Sequence, residues 1–143
     1  MRLKKTILSA AALLLVLVFA AVSQTPAGPK HHVVFQLTEP EGGAWTVLPL
    51  HVANMRKAFE QDGGSEVEVV FFGAGLNMLL KKNTAYEARL KELADAGVKL
   101  SACQNAMRIM NVKTEDLFPF ASQVDSGVAE LARKQEAHWA YIH

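Results

Sequence analysis

The sequence has little cysteine and no excess of charge of either sign. Only one of its 143 residues is cysteine, Cys103, so no disulfide can form within one chain. Its 15 Lys and Arg residues are balanced by 14 Asp and Glu residues, which gives no electrostatic basis for binding nucleic acid. The fold must therefore be stabilised by an apolar core, and the one unpaired thiol needs its own explanation.

Motifs typical of hydrolases, zinc proteins and dinucleotide-binding proteins are also missing. No serine lies in a G-x-S-x-G motif, and no two carboxylates are spaced as an acid/base pair. Among the five histidines, His31 and His32 are adjacent and point to opposite faces of a strand, and no pair has the i, i+4 spacing of a helical zinc site. Gly73-Ala74-Gly75 begins like a phosphate-binding turn, but Met78 takes the place of the third glycine. We expect no metal and no cofactor.

The N-terminus contains the longest hydrophobic run of the chain. Three basic residues lie within the first five positions, the charge-free run Ile7–Val22 follows, and Ala21 and Ser23 then form an A-x-S cleavage site. The alternative is a retained membrane anchor, but the run has 16 residues, where a spanning helix needs about 20. Residues 1–23 are predicted to be a signal peptide, which indicates a periplasmic or secreted protein with no membrane segment after its removal.

The rest of the chain has the length of one domain. Removing residues 1–23 takes away three basic residues, so residues 24–143 carry 12 Lys and Arg against 14 Asp and Glu, a formal charge of −2. Residues 24–30 contain two prolines and a glycine without periodicity, and we interpret them as a flexible leader. A single domain is predicted over residues 31–143.

Within this domain, short apolar runs alternate with segments of helical periodicity. Runs covered by helices on both faces of a sheet are almost continuously apolar, and strands separated by helices usually return in parallel. We predict a three-layer α/β/α sandwich with a mainly parallel sheet of about five strands. The predicted strands are His32–Leu37, Val67–Phe72, Val98–Ala102, Phe120–Val124 and, as a short closing strand, Trp139–Ile142.

The helical segments are identified by apolar residues at steps of three and four. One stripe consists of Trp45, Leu48, Val52, Met55 and Phe59, with Pro49 expected close to the helix start, and a second of Tyr86, Leu90 and Leu93, ended by Gly97. Ser126 is predicted to cap the last helix, with Val128, Leu131 and Ala132 directed inward. The expected core comprises Val33, Phe35, Val69, Phe71, Val98 and Leu100 in the sheet, with Leu48, Val52, Leu90, Leu93 and Leu131 from the helices.

The candidate site lies where the strands end, because ligands of parallel sheets bind beyond the carboxyl ends of the strands. Cys103 follows the third strand and precedes a helical turn at 105–110, whose free N–H groups would favour a thiolate. We expect the Gly42-Gly43 loop and His51 to form walls of the same pocket. The alternative is that Cys103 is a buried structural residue, which is common for a lone cysteine.

Several segments, taken in order, resemble one protein family. They are VVFQL at 33–37, VVFFGAGLNMLLK at 69–81, ADAGVKLSACQNAM at 94–107, VKTEDLF at 112–118 and VDSGVAELARKQEAHWAYI at 124–142. Their order and spacing over residues 31–143 resemble the DsrE/DsrF-like family of sulfur-relay proteins. The segment VVFFGAGLNMLLK is similar to the family's second strand, glycine turn and short leucine-rich helix.

The resemblance implies a function for the cysteine. In relay members a cysteine on a loop at the sheet edge accepts persulfide sulfur, and Cys103 matches it, with Asn105 as its neighbour and Ala106 in place of the expected hydroxyl residue. The partner implied is a sulfur donor or acceptor protein or a small sulfur compound, and the chain is expected to form a homo-oligomer. The resemblance implies at most a sulfur-transfer activity. The alternative function is a non-catalytic small-ligand or protein-binding domain.

The first prediction concerns export. Cleavage after Ser23 should leave a soluble protein that begins at Gln24. Intact-mass analysis of protein recovered outside the cytoplasm measures this directly. Recovery of the full 143-residue chain in the membrane fraction would contradict it.

Overall fold

A computed structural model describes residues 28–143 of the chain. The predicted signal peptide at 1–23 and the first part of the leader, at 24–27, lie outside the described residues. Within the part that the structure describes, no helix has both the length and the apolar character needed to cross a membrane.

Five strands form one parallel sheet. They are β1 (His31–Leu37), β2 (Ser65–Phe71), β3 (Lys99–Cys103), β4 (Ser122–Val124) and β5 (Ala140–Ile142). The strand order is β4-β3-β2-β1-β5, and every neighbouring pair runs parallel. The predicted sandwich with a five-stranded parallel sheet is confirmed, with strand ends differing from the prediction by one or two residues.

Four α-helices connect the strands. They are α1 (Gly43–Phe59), α2 (Thr84–Asp95), α3 (Gln104–Ile109) and α4 (Gly127–Glu136). Short 3₁₀ helices occur at Glu60–Asp62, Gly73–Leu79 and Thr114–Asp116. The segment expected to form a short leucine-rich helix after β2 is thus a 3₁₀ helix. Pro49 lies at the seventh position of α1, deeper than predicted, because the helix begins as early as Gly43.

The main core lies on the face of the sheet covered by α1, α2 and α3. Alternate residues of the central strands point to this face, including Val33, Phe35, Val69, Phe71 and Leu100. The helices contribute Trp45, Leu48, Val52, Leu90, Leu93 and Met107. All the residues predicted for the core are buried.

The opposite face is covered, among the described residues, by α4. A small cluster forms there from Val34, Val70, Val124 and Leu131. The prediction that Val128 and Ala132 point inward is wrong: Val128 is 66% exposed, and Ala132 is also exposed. The reason is that the inward stripe of α4 runs through Gly127, Leu131 and the half-buried Lys134.

This second face contains a buried charge. Glu68, in the middle of β2, is fully buried, and its Oε1 accepts a hydrogen bond from Ser101 Oγ at 2.5 Å. Lys99 Nζ lies 3.0 Å from Oε1, and Lys134 Nζ lies 2.9 Å from Oε2. Burial raises the pKa of Glu68, but the Ser101 hydrogen bond and the two ammonium groups outweigh it and hold the pKa below its usual value.

A close approach of the backbone explains one glycine of the turn after β2. A Cβ atom at Gly75 would lie 2.3 Å from the Leu37 carbonyl oxygen, so no side chain fits between this turn and β1. Gly73, two residues earlier, has a φ of +54°, in the left-handed region. The two glycines therefore serve a tight turn into the 3₁₀ helix.

Substitution of Gly75 should destabilise the protein. Gly75→Ala forces a methyl group against backbone atoms and should cost about 1–3 kcal/mol in the free energy of unfolding. Gly43→Ala is the matched control, because a Cβ atom at Gly43 meets nothing within 4 Å. Urea denaturation of both variants tests this, and equal stability of the two would contradict the close approach.

Glu68 should make the protein sensitive to acid. A carboxyl whose pKa is lowered by folding contributes stability that is complete above its usual pKa of 4.5 and lost as the pH falls through the folded value. The melting temperature of the natural protein should thus fall more steeply below about pH 4.5 than that of Glu68→Gln. If the melting temperatures of the two proteins fell in parallel with pH, Glu68 would not be the source of the acid sensitivity.

Candidate functional site

The sulfur of Cys103 lies where two helices begin. Cys103 is the last residue of β3 and the N-cap of α3. Its Sγ accepts the backbone N–H of Ala106 at 3.5 Å and that of Gly127, the first residue of α4, at 3.1 Å. Hydrogen bonds from N–H groups favour a negatively charged sulfur over the neutral thiol.

The start of α4 is capped by a side chain. Ser126 is the N-cap of this helix, and its Oγ accepts the N–H of Ala129 at 3.4 Å, as predicted from the sequence. The Gly127 N–H of the same turn is directed at the sulfur. The positive end of the helix dipole adds to its effect.

A cavity of about 230 Å³ opens over the sulfur. Among the described residues, none with a charged side chain lines it. Cys103 itself is only 4% exposed, so it lies at the base of the cavity. Its lining is largely apolar, with side chains from Phe72, Ala106, Ile109, Met110 and Val128.

Asn105 lies at the rim of this cavity. It lines the opening and is exposed, and its Oδ1 accepts a hydrogen bond from the Arg108 guanidinium. The structure thus brings together Cys103 and Asn105, two of the residues selected from the sequence. The amide of Asn105 has no hydrogen bond to the sulfur.

The other selected residues lie elsewhere. His51 is exposed on α1 and lines a different cavity, with Val47, Ile142 and His143, beside β1 and β5. Gly42 and Gly43 form the start of α1 and do not line the cavity over the sulfur. The reason is topological: α1 packs on the face opposite α4, whereas the sulfur is bonded to α4.

The sequence interpretation missed Gly127 and Phe72. A Cβ atom at Gly127 would lie 2.8 Å from the Phe72 ring, so this glycine allows α4 to begin close to the sheet. The available signal was a glycine directly after the N-cap Ser126, at a position where a helix tolerates but does not require it. Without knowing that Phe72 lies opposite, no spacing rule identifies the contact.

The loop before α4 is tied to the helix by an ion pair. Asp125 accepts two hydrogen bonds from the Arg133 guanidinium, at 2.9 and 2.8 Å. These bonds, with the backbone N–H of Ser126, hold the pKa of Asp125 at about 2. The pair is exposed to solvent, so its direct contribution to stability is small.

The structure also bears on metal binding. No three His, Cys, Asp or Glu side chains come together as a metal site anywhere in residues 28–143.

Comparison with known proteins relates this arrangement to one family. A family model described as the DsrE/DsrF-like family matches residues 31–143. A solved structure, the protein of unknown function MTH1491 from Methanobacterium thermoautotrophicum, is 31% identical and superimposes with a TM-score of 0.74 over 79% of this chain and 98% of that chain. No curated protein matches significantly. The chain belongs to the DsrE/DsrF-like family.

Proposed function

We propose that this protein is an exported sulfur carrier that accepts sulfane sulfur on Cys103 as a persulfide and passes it to an acceptor. The observation that carries the proposal is the pair of backbone N–H groups, from Ala106 and Gly127, that converge on Sγ at the base of a cavity. A carrier needs a nucleophilic sulfur, and the thiolate is the nucleophile.

The cavity supports the proposal because a persulfide needs room and protection. A volume of about 230 Å³ accommodates the transferred sulfur and part of its donor. The apolar lining keeps water from a reactive S–S bond, and the two N–H donors can stabilise negative charge on either sulfur.

Transfer itself requires no oxidant or metal. The Cys103 thiolate attacks the outer sulfur of a polysulfide or persulfide, and a bond forms between Sγ and that sulfur. The S–S bond to the rest of the donor breaks, and the electron pair leaves with the shortened donor as its thiolate. The reverse exchange with an acceptor thiolate completes the relay.

Export and partners belong to the same proposal. A signal peptide at 1–23 would bring the carrier into the periplasm or outside the cell, where the donor is a small sulfur compound or another exported protein. Ile109, 85% exposed, and Val128, 66% exposed, both line the cavity and give a protein partner an apolar surface to contact. A homo-oligomer is expected from the family resemblance.

One observation favours a second function. Cys103 is 4% exposed, as expected of a structural cysteine in a non-catalytic domain that binds a small ligand or a protein. In that case the N–H groups only satisfy the sulfur, and the cavity over it holds the ligand.

The sulfur-carrier function predicts a covalent adduct. Incubation of the folded protein with inorganic polysulfide, followed by peptide mass spectrometry, should show one or more added sulfur atoms on the peptide that contains Cys103. Cys103→Ser should lose the adduct and change the free energy of unfolding by less than about 1.5 kcal/mol, because serine is similar in size and accepts the same N–H bonds.

The alternative gives a different result. A structural cysteine would react with polysulfide or iodoacetamide only after denaturation. The folded natural protein would then form no adduct, and Cys103→Ser would change only its stability or its ligand binding. Labelling in the folded state, compared with labelling in urea, distinguishes the two functions.

A further inference from the structure

The position of α4 depends on three contacts with β2 and its extension. Gly127 lies against the Phe72 ring, Leu131 packs in one cluster with Val70, and Lys134 is paired with Glu68. The helix residues are spaced i, i+4 and i+7, which places them on one face of a helix. Their partners are every second residue of the extended segment, so they also share one face.

The helix and the extended segment run in opposite directions, since Gly127, Leu131 and Lys134 contact Phe72, Val70 and Glu68 in that order. The stretch of helix and the stretch of strand that hold these residues have similar lengths. Seven residues of helix span about 10.5 Å, and four residues of strand span about 13 Å. The three contacts therefore specify where α4 lies along β2. A shift of the helix by one turn would break all three at once.

Of the three contacts, the ion pair is the one that ties a buried charge to one position of the helix. Gly127 has no side chain, and Leu131 is an apolar residue that can pack at several positions. Lys134 is different: besides the Glu68 carboxylate, its ammonium lies 3.7 Å from the centre of the Trp139 ring. Sliding α4 would leave Glu68, which is fully buried, without one of its two cations, and a buried unpaired charge is costly.

From these contacts we infer that Glu68 is a positioning residue for Cys103: through Lys134 it sets the register of α4 and so holds the Gly127 N–H against the sulfur. Glu68 does not touch the cavity over Cys103, and nothing in the sulfur-transfer step uses it directly. This role of Glu68 rests on the proposed function in one respect: it assumes that the Gly127 N–H stabilises a reactive Cys103 sulfur.

The pH dependence of cysteine alkylation tests this role. In Glu68→Gln the Lys134 contact is weakened, and the pH of half-maximal reaction with iodoacetamide should rise as the Gly127 N–H moves away. Loss of a negative charge alone would favour the thiolate and lower this midpoint. The direction of the shift therefore separates positioning from a direct charge effect.

Glu66→Gln is the matched control. Glu66 lies on the same strand and the same face, and its side chain is 54% exposed. It contacts His32 at 3.2 Å, and no hydrogen bond or ion pair joins it to α4 among the described residues. Its replacement should leave the midpoint unchanged. A Glu68→Gln protein whose midpoint is unchanged or lowered would overturn the inference, even if its stability had fallen.

A second variant covers the case in which Glu68→Gln does not fold. Lys134→Met keeps much of the side-chain length and leaves Glu68 paired with Lys99. Its readout is hydrogen exchange at the Gly127 amide, which should become faster by tenfold or more, while the amides of β2 stay protected. Unchanged exchange at Gly127 would contradict the inference.

The outcome is distinguishable from that of the proposed function. If polysulfide gives no adduct in the natural protein but exchange at the Gly127 amide becomes faster in Lys134→Met, the positioning role stands and the carrier function fails. If the adduct forms but neither the alkylation midpoint in Glu68→Gln nor the exchange at the Gly127 amide in Lys134→Met changes, the carrier function stands and Glu68 has no part in it.

Discussion

The contact between α4 and the face of the sheet that contains Glu68 is the constraint on which the candidate site depends. The other face has three helices and contains most of the buried apolar residues. On the α4 side the apolar contribution is small, four buried residues, and a buried carboxylate with two lysines takes the central position. A displaced helix would take Lys134 away from a fully buried carboxylate, which is costly, so this face of the sheet disfavours other positions of α4.

That position gives the single cysteine its surroundings. In a parallel sheet all strands end at one edge, and the helices that follow them begin there with free N–H groups. Cys103 ends a central strand, so the N–H of its own helix and that of α4, which follows the neighbouring strand, both reach its sulfur. The hydrogen bonds that the sulfur accepts thus come from backbone groups.

Family membership and site geometry support different statements. The match over residues 31–143 and the similarity to MTH1491 establish the family and the fold. Function is determined by the site, and the same fold can hold a reactive or an inert cysteine. Here the convergent donors and the cavity favour reactivity, whereas the 4% exposure of Cys103 is what a structural cysteine would also show.

Much of this protein could be predicted from local patterns in its sequence. The strands, the core residues on α1 and α2, the Ser126 cap and the position of Cys103 before a helix all follow from periodicity and capping, which act over a few residues. The inward face of α4 could not be predicted in this way, because it depends on Phe72 and Glu68, more than 50 residues earlier in the chain. Glu68 did interrupt an otherwise apolar strand, but its partners were invisible without the strand order. His51 shows the same limit: its helix begins at the expected edge, yet only the tertiary structure decided that α1 and α4 pack on opposite faces of the sheet, since the face that a helix covers depends on its crossover and not on its own residues.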